Sequence, residues 1–301
     1  MEPLLTIAIP FFRGREYLQR AIESVRAQER AGWRLLVCDD GGGEPRAGEE
    51  IEALVASFGD DRLRYHRNLS GPDMVRNWNR CLGLAETDLV SVLHADDQLL
   101  PGYAGLMLDL APAHPEASAF YCEARIIDAR SRPSFSLADA VKPWFRPAAD
   151  DPTVLRGEPA VRALMAGNFI MCPTLCFRKS VLGDRRFSPD WRQAQDLEFT
   201  TRLLMDGESL VGSRQTAYAY RRHKDSATSR QSDSMLRFEE EVRLFDLVAD
   251  RAEELGWLEA ARVSRRKRIV KLHLLYRSLR ELAALRPRAA ATRLRFLRER
   301  C

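Results

Sequence analysis

Two neighbouring carboxylates follow an apolar run in the first third of the chain. Residues 89–93 are largely apolar and β-branched, and His94, Asp96 and Asp97 come soon after them. Such a strand is typical of the centre of a parallel sheet, and acids at its carboxyl end lie where open α/β sheets bind ligands. Adjacent carboxylates repel each other unless a cation or hydrogen bonds hold them, and Mg²⁺ or Mn²⁺ prefers such oxygen ligands. These residues predict either a divalent metal site or a solvated turn that ends the strand.

Acidic residues occur at two further places that could carry chemistry. Asp39 and Asp40 end a second apolar segment, residues 34–38, and are followed by three glycines, whose missing Cβ atoms let a ligand approach the backbone. Asp196 falls in the first turn of a predicted helix that Gly207 ends. A carboxylate there either caps the helix or is free for other chemistry, and the sequence leaves both interpretations open.

Strands and helices alternate along the first hundred residues, and this pattern predicts a parallel, doubly wound sheet. The carboxyl ends of such strands line one crevice, so we expect the loop at Pro10–Arg13, the pair Asp39–Asp40 and the segment His94–Asp97 to converge there. The first strand is not followed by G-x-G-x-x-G, and the chain has no Walker-type motif, which argues against a dinucleotide or P-loop site. The predicted strands are 4–9, 34–38, 62–66 and 89–93, and the predicted helices are 16–28, 49–58 and 72–85.

The pattern beyond residue 100 is less regular. Residues 131–151 contain several prolines and are predicted to form a loop that orders further with ligand. Apolar spacing predicts helices in the last third, where arginines are frequent. The predicted elements of this part are a strand at 119–122, a helix at 158–166, a strand ending near 177, and helices at 238–255, at 258–285 and from 287 to 301.

The bulk composition narrows the class of protein. The chain has 301 residues and a formal net charge of +4, with no apolar run of membrane-spanning length and no signal-peptide pattern. Its six cysteines lie mostly in apolar segments, which favours buried thiols and a cytoplasmic protein. The basic carboxyl-terminal helices have three interpretations: a helical cap, a contact between protomers of a homodimer, or a surface on an anionic membrane. We expect no nucleic-acid partner, because the basic helices carry no known nucleic-acid-binding motif.

Five segments, in order, resemble glycosyltransferase family 2, which has the GT-A fold, a doubly wound, Rossmann-like mixed α/β sheet with flanking helices. The resemblance covers roughly residues 1–230 as a catalytic domain, with a nucleotide-binding half near 1–100 and an acceptor half near 101–230, and leaves 231–301 as a helical extension. The segments are TIAIPFFRGREYLQRAIESVRAQ, LLVCDDGGGE, NLSGPDMVRNWNRCLGLAETDLVSVLHADDQLLP, QAQDLEFTTRLL and YRRHKDSATS.

This resemblance implies a role for each matching residue. Asp196 corresponds to the catalytic base, and Asp96 to the last acid of a metal-binding D-x-D motif, with His94 and His223 as further candidate ligands of Mn²⁺ or Mg²⁺. The loops that carry Asn168 and Trp191 are assigned to the acceptor. The residues assigned to the nucleotide are Pro10, Phe12, Arg13, Asp39, Asp40, Arg76, Asp97 and His223.

The implied activity is a metal-dependent, inverting transfer of a sugar from a nucleotide-diphosphate donor. UDP or dTDP is the expected carrier of the sugar. The expected acceptor is a hydroxyl of a surface glycan, a lipid-linked precursor or a natural product. The expected location of the protein is the cytoplasm or the inner face of the membrane. The sequence departs from the family pattern at His94, where an acid is usual, at Gln195, where Glu is common, and at the three glycines after Asp40. A sugar nucleotidyltransferase would need a glycine-rich basic first loop, which Pro10–Arg13 is not. The alternative that we retain is a non-catalytic GT-A-like module that binds a nucleotide or a partner.

Overall fold

A mixed sheet forms the centre of the computed structural model, which describes residues 4–41, 45–69, 71–223 and 234–301. The described residues contribute nine strands to this sheet, in the order β3-β2-β1-β4-β8-β6-β9-β5, with β7 paired to β9. The strands are β1 (Leu5–Phe11), β2 (Trp33–Asp39), β3 (Leu63–Arg67), β4 (Leu89–Val92), β5 (Gln98–Leu99), β6 (Ala119–Ile127), β7 (Thr153–Arg156), β8 (Cys176–Arg178) and β9 (Ser209–Arg221).

Helices cover both faces of the sheet and continue beyond it at the carboxyl terminus. We number the helices of the described ranges α1 (Arg15–Arg26), α2 (Pro45–Ser57), α3 (Met74–Leu84), α4 (Tyr103–Ala113), α5 (Leu137–Ala140), α6 (Gly157–Ala166), α7 (Lys179–Leu182), α8 (Gln195–Met205), α9 (Leu236–Glu254), α10 (Leu258–Arg266), α11 (Arg268–Ala283) and α12 (Pro287–Arg300). Short 3₁₀ turns occur at Lys142–Phe145 and Cys172–Thr174. None of the described helices is long and apolar enough to cross a membrane.

The amino-terminal half of the sheet is parallel, as its sequence pattern predicts. β1 pairs in parallel with both β2 and β4, and β2 pairs in parallel with β3. Leu5, Ile7 and Ile9 pack on one face, while Ala8 packs on the other, so β1 is buried on both sides. Burial on both faces explains why these strands are apolar without alternation. The predicted α/β class is therefore confirmed.

The second half of the sheet changes strand direction. β8 is antiparallel to both β4 and β6, whereas β6 runs parallel to β9 over a long, bulged register. β9 is 13 residues long, and β6 extends five residues past the predicted strand 119–122. Because β9 also pairs with β5 and β7, it joins three parts of the second half of the sheet.

Two further predictions about local structure are wrong. The single helix predicted at 258–285 is two helices, because Lys267 takes a left-handed conformation, with φ 47°, between α10 and α11. The Nζ of Lys267 lies 2.6 Å from a carboxylate oxygen of Asp246. The irregular segment predicted at 131–151 contains α5 and a 3₁₀ turn rather than only loop.

The carboxyl-terminal helices share a hydrophobic core with one face of the sheet. Phe238, Phe245 and Leu274 belong to the same buried cluster as Phe177 and Leu197. The predicted helical extension is confirmed, and it packs on the rest of the protein through this core. The predicted domain boundary near 230, and most of the segment YRRHKDSATS, lie outside the described residues.

Candidate active site

Asp97 ties the turn after β4 to the end of β9. Its side chain is fully buried, and one oxygen accepts the backbone N–H of Arg221 at 2.7 Å while the other accepts the Tyr218 hydroxyl at 3.0 Å. Burial raises the pKa of Asp97 well above its usual range. The guanidinium of Arg221 also donates to the backbone carbonyl of Asp96, so β9 fixes both acids of the turn.

Asp96 is the accessible acid of the pair. Its side chain is 31 % exposed, and one oxygen lies 2.9 Å from the Nε2 of His223, whose ring packs against Tyr17 at 4.9 Å. Burial by itself would raise the pKa of Asp96, but the hydrogen bond with His223 and the nearby charges of His94 and His223 bring that pKa below its usual value. The structure therefore brings together the predicted metal ligands Asp96 and His223.

His94 completes a compact group of ligand atoms. The ring stacks on Trp78 with 5.3 Å between centroids, and its Nδ1 lies 3.9 Å from Asp97. The Nε2 is buried and has no hydrogen-bond partner among the described residues. Burial lowers the pKa of His94, although the charges of Asp96 and Asp196 act in the opposite direction. Ligand atoms of His94, Asp96 and Asp97 all lie within 4.8 Å of one another.

Asp39 and Asp40 are engaged by the loops around them. Asp39 accepts the Tyr65 hydroxyl at 2.7 Å and the Gly41 N–H at 2.9 Å, and it is 2 % exposed. Gly41 has φ +61°, and a Cβ there would come within 2.9 Å of the Asn68 carbonyl oxygen, so glycine is required. Gly42 and Gly43, the other glycines of the predicted ligand loop, lie outside the described residues.

Asp40 is held just as firmly, by the segment before α3. It accepts the Asn68 side-chain amide and the Asp73 backbone N–H, each at 2.6 Å, and it is 2 % exposed. Burial raises the pKa of Asp40, partly offset by these hydrogen bonds and by the positive charge of Arg80. The predicted Arg76 is exposed, whereas Arg80, one helical turn later, is the arginine that acts on Asp40. Sequence reasoning missed Arg80, although its helical spacing from Arg76 could have suggested it.

The loop after β1 supplies the exposed aromatic surface of this edge. Phe12 is 46 % exposed, and the guanidinium of Arg13 lies 5.6 Å from its ring centroid. Pro10 is only partly exposed, within β1. Because β1 and β2 are parallel neighbours, Phe11 pairs with Asp39 and the predicted nucleotide residues of both strands share one edge.

Asp196 lies in the first turn of α8 and does not cap that helix. The N-cap position belongs to Ala194, and no side chain provides a capping hydrogen bond. The partly exposed Asp196 carboxylate has no hydrogen-bond partner in the described ranges, and its charge acts on His94 and on Lys142. Asp196 is therefore near both His94, after β4, and Lys142, in the 3₁₀ turn Lys142–Phe145.

A glutamate from the carboxyl-terminal helices fixes the turn that leads into Asp196. The Glu240 carboxylate, on α9, accepts the backbone N–H groups of Arg192 at 3.0 Å, Gln193 at 2.7 Å and Ala194 at 3.1 Å. Glu240 is 6 % exposed, so these charge-assisted bonds are shielded from water. Nothing in the local sequence pointed to Glu240, because it lies more than forty residues from the turn it holds.

The two predicted acceptor residues differ in their surroundings. Asn168 is partly exposed, and its Oδ1 is buried without a hydrogen-bond partner among the described residues. Trp191 is only 4 % exposed and packs beneath Arg243, whose guanidinium lies 4.7 Å from its ring centroid. With so little accessible surface, Trp191 is a packing residue, and the acceptor contact predicted for it has no support in this structure.

A cavity of about 230 Å³ opens next to Asn168 and the 3₁₀ turn. Burial lowers the pKa of Lys142 in its wall, against the charges of Asp139 and Asp196. Lys142 and Arg222 both pair with Asp139, at 3.4 and 2.8 Å. The cavity is lined by both charged and aromatic groups, among them Glu123, Phe135, Asp139, Lys142, Arg146 and Phe169.

The sequence matches a known family over the part that carries the candidate metal ligands His94, Asp96 and Asp97. Residues 6–151 match the model of glycosyl transferase family 2. An uncharacterized protein of Mycobacterium tuberculosis, MT1568, is 33 % identical over 34 % of this chain and 30 % of its own length. An uncharacterized glycosyltransferase of Rickettsia typhi, RT0329, is 24 % identical over 70 % of this chain and 64 % of its own. A GalNAc(5)-diNAcBac-PP-undecaprenol beta-1,3-glucosyltransferase of Campylobacter jejuni is 28 % identical over 36 % of this chain and 35 % of its own.

Solved structures share the fold over nearly the whole chain. TarS 1–349 of S. aureus, in complex with UDP, superposes with a TM-score of 0.58 at 14 % identity, covering 98 % of this chain and 91 % of TarS 1–349. The mannosyltransferase PcManGT of Pyrobaculum calidifontis, in complex with GDP-Man and Mn²⁺, superposes with a TM-score of 0.62 at 12 % identity. The match covers 99 % of this chain and 88 % of the PcManGT chain. These matches confirm the predicted fold, and nearly half of the chain, residues 6–151, matches glycosyl transferase family 2, as the sequence motifs predicted.

Proposed function

We propose that this protein is a metal-dependent, inverting glycosyltransferase that moves a sugar from a nucleotide-diphosphate donor to an acceptor hydroxyl. One observation carries the proposal: the Asp196 carboxylate, which accepts no hydrogen bond from the described residues, is close enough for its charge to act on His94, and His94 belongs to the same compact group as Asp96. Such a transfer needs a carboxylate that takes the proton of the acceptor hydroxyl and, close to it, a metal site that binds the leaving diphosphate. Asp196 and the candidate metal ligands would supply these two parts.

The residues after β4, together with His223 just after β9, fit a divalent ion. Asp96 offers an accessible carboxylate, His223 a ring nitrogen beside it, and His94 a buried nitrogen that no described group satisfies. Asp97 contributes less, because both of its oxygens are bound by β9. Carboxylate with imidazole suits Mn²⁺ as well as Mg²⁺. When bound, the ion would neutralise the charge of the departing diphosphate.

The edge formed by β1 and β2 would hold the nucleotide. Phe12 offers an exposed ring for stacking on the base, with Arg13 beside it. Asp39 and Asp40 shape the loops around the base, and Arg80 joins Arg76 as a candidate for the phosphates. UDP or dTDP is our proposed carrier. TarS was solved with UDP and PcManGT with GDP-Man, so related folds accept more than one base.

Asp196 would act as the general base. The acceptor hydroxyl gives its proton to the Asp196 carboxylate as its oxygen bonds to the anomeric carbon, and the bond from that carbon to the diphosphate oxygen breaks with its electron pair. Attack from the face opposite the leaving group inverts the configuration in one displacement, with no covalent intermediate on the protein. The Glu240 carboxylate would keep the turn before Asp196 in place during this step.

The acceptor would enter from the side of Asn168 and the adjacent cavity. We propose a hydroxyl of a surface glycan or lipid-linked precursor, or of a natural product, met at the inner face of the membrane. Two relatives support the first choice by name, the undecaprenol-linked glucosyltransferase and a putative colanic acid biosynthesis glycosyl transferase of Escherichia coli. Both match this chain over little more than a third of its length.

Calorimetric binding tests the donor site directly. UDP, dTDP, GDP and CDP are titrated into the purified protein with Mn²⁺, with Mg²⁺ and with EDTA. We expect one nucleotide to bind only with metal, and we expect the Asp96→Ala variant to lose that metal-dependent binding. Failure of every nucleotide to bind would overturn the donor site. Binding of a nucleotide with no transfer from any corresponding nucleotide sugar, including to water, would favour the non-catalytic module.

A further inference from the structure

Helix α11 (Arg268–Ala283) has two apolar faces, and only one of them is covered. Val270 and Leu274 are buried against the rest of the protein, together with Ser278 and Glu281. These residues recur every three or four positions, which is the spacing of one helical face. An amphipathic surface helix normally presents a polar face on the other side, and α11 does not.

The outer face of α11 is a stripe of exposed apolar side chains. Its residues are again three or four positions apart, so they lie along one side of the helix, opposite the buried face. A further leucine, Leu285, is 89 % exposed in the turn after α11, and Leu294 on α12 is 41 % exposed. We call this surface the leucine stripe; its members on α11 are Leu272, Leu275, Tyr276, Leu279 and Leu282, each between 41 and 66 % exposed.

Basic residues surround the leucine stripe. Exposed arginines, Arg268 and Arg286, lie at its two ends, and the Arg280 guanidinium lies 5.9 Å from the Tyr276 ring centroid on one flank. Residues 258–301 contain fourteen Lys and Arg against three Asp and Glu, a net charge of +11 in a chain whose total is +4. The remainder of the chain is therefore acidic, and its positive charge is concentrated around this surface.

We propose that the leucine stripe docks on the surface of an anionic bilayer, with α11 lying in the plane of the interface. Apolar side chains would enter the boundary between headgroups and acyl chains, while the arginines around them bind lipid phosphates. Two features disfavour a second copy of the chain as the occupant. Self-association would bring two strongly basic surfaces together, and the stripe is about two heptads long, shorter than a stable coiled coil needs.

Docking on a bilayer does not depend on the proposed sugar transfer. It would hold the protein at the membrane face where the proposed acceptor is met. Phe238 on α9 contacts His273 on α11 with 4.9 Å between ring centroids, and α9 also carries Glu240, which holds the turn before Asp196. The helix that would lie on the bilayer, α11, thus packs against α9, the helix whose Glu240 holds the turn before the candidate base Asp196.

Vesicle co-sedimentation tests the proposal. Phosphatidylcholine vesicles with and without phosphatidylglycerol are mixed with the full chain at low and high salt. We expect binding only to the anionic vesicles, weaker at high salt because the lipid charge is screened. The double variant Leu275→Ser/Leu279→Ser should lower the partition coefficient by about a hundredfold, since each inserted leucine contributes roughly tenfold. The matched control is Leu247→Ser, an exposed leucine on α9, which should bind as the parent does.

Three results would overturn the proposal. The parent chain fails to bind anionic vesicles, or the double variant binds them as well as the parent does. Alternatively, size-exclusion chromatography shows a dimer that only the double variant dissociates, and then the stripe belongs to a second copy. Both leucines are exposed, so circular dichroism should show the variant folded. Nucleotide binding, measured separately, should not change, and a failure of the proposed transferase activity would leave this result intact.

Discussion

The two sides of the candidate active site use their carboxylates differently. Asp39, Asp40 and Asp97 are each 2 % exposed or less, and each has both oxygens bound to neighbouring groups of the protein. Asp196, in the first turn of α8, is partly exposed and has no hydrogen-bond partner in the described ranges. Its support comes instead through the backbone, from Glu240.

Under the proposed function, this difference separates the acids that shape the site from the one acid that reacts in it. A carboxylate with both oxygens occupied shapes a loop, and removing it leaves buried donors unsatisfied. A carboxylate without partners can accept a proton, and removing it leaves the fold unchanged. The comparison therefore predicts opposite effects of substitution on activity and on stability.

The largest effect is expected at Asp196. Asp196→Asn should lower kcat by about 10²–10⁴-fold, the range for loss of a general base, while the free energy of unfolding changes by less than about 0.5 kcal/mol. Steady-state transfer assays, thermal unfolding and calorimetric nucleotide binding measure the three quantities. Asp206→Asn, at the exposed end of the same helix, is the control and should behave as the parent does. An active Asp196→Asn enzyme would contradict the assignment of the base.

Asp97→Ala should show the opposite behaviour. The substitution leaves the buried Tyr218 hydroxyl and Arg221 N–H without their acceptors, so we expect the free energy of unfolding to fall by about 2–4 kcal/mol. Chemical denaturation measures this change. Asp96→Ala, at the more exposed neighbouring acid, should cost far less. An Asp97→Ala variant as stable as the parent would contradict the claim that acids with both oxygens bound stabilise the fold.

Glu240→Ala should weaken the acceptor side without affecting the donor side. Losing the acceptor for three backbone N–H groups frees the turn before Asp196, and we expect kcat to fall by about 10–100-fold, since misplacing a catalytic group by about 1 Å costs roughly 10²-fold. The dissociation constant of the nucleotide should stay the same.

Two related variants separate positioning by Glu240 from a general loss of stability. Glu239→Ala, its exposed neighbour, should have no effect, and Glu240→Gln, which keeps an amide oxygen as acceptor, should recover part of the rate. A parallel loss of nucleotide binding in Glu240→Ala would show that the substitution unfolds the protein generally.

The sequence predicted the parallel half of the sheet and its loops correctly for a simple physical reason. Strands buried on both faces are apolar throughout, and the carboxyl ends of parallel strands meet at one edge, so the acids after β2 and β4 had to lie near each other. The change of direction at β8 could not be predicted, because a three-residue strand has no distinguishing pattern.

The residues of the candidate site were predicted where local order or the family resemblance pointed to them. Asp96, His94 and His223 do come together, but burial decides which acids are accessible, and burial depends on β9 and its partners. Trp191 illustrates the same limit, since an aromatic residue before a helix is equally suited to a binding site and a core. Arg80 and Glu240 were not predicted, because neither a local pattern nor the family resemblance connects them with their distant partners, Asp40 and the turn at 192–194. His223, which is 127 positions from Asp96, was predicted through the resemblance alone.

The contact between Glu240 and the turn at 192–194 also determines when activity can arise during synthesis. A ribosome releases the chain from its amino terminus, so the sheet and the nucleotide edge emerge before α9 exists. Until Glu240 has been made and α9 has packed, the turn before Asp196 lacks its acceptor. We expect a nascent chain ending near residue 230 to hold nucleotide without transferring sugar, which would delay catalysis until the carboxyl-terminal helices have folded.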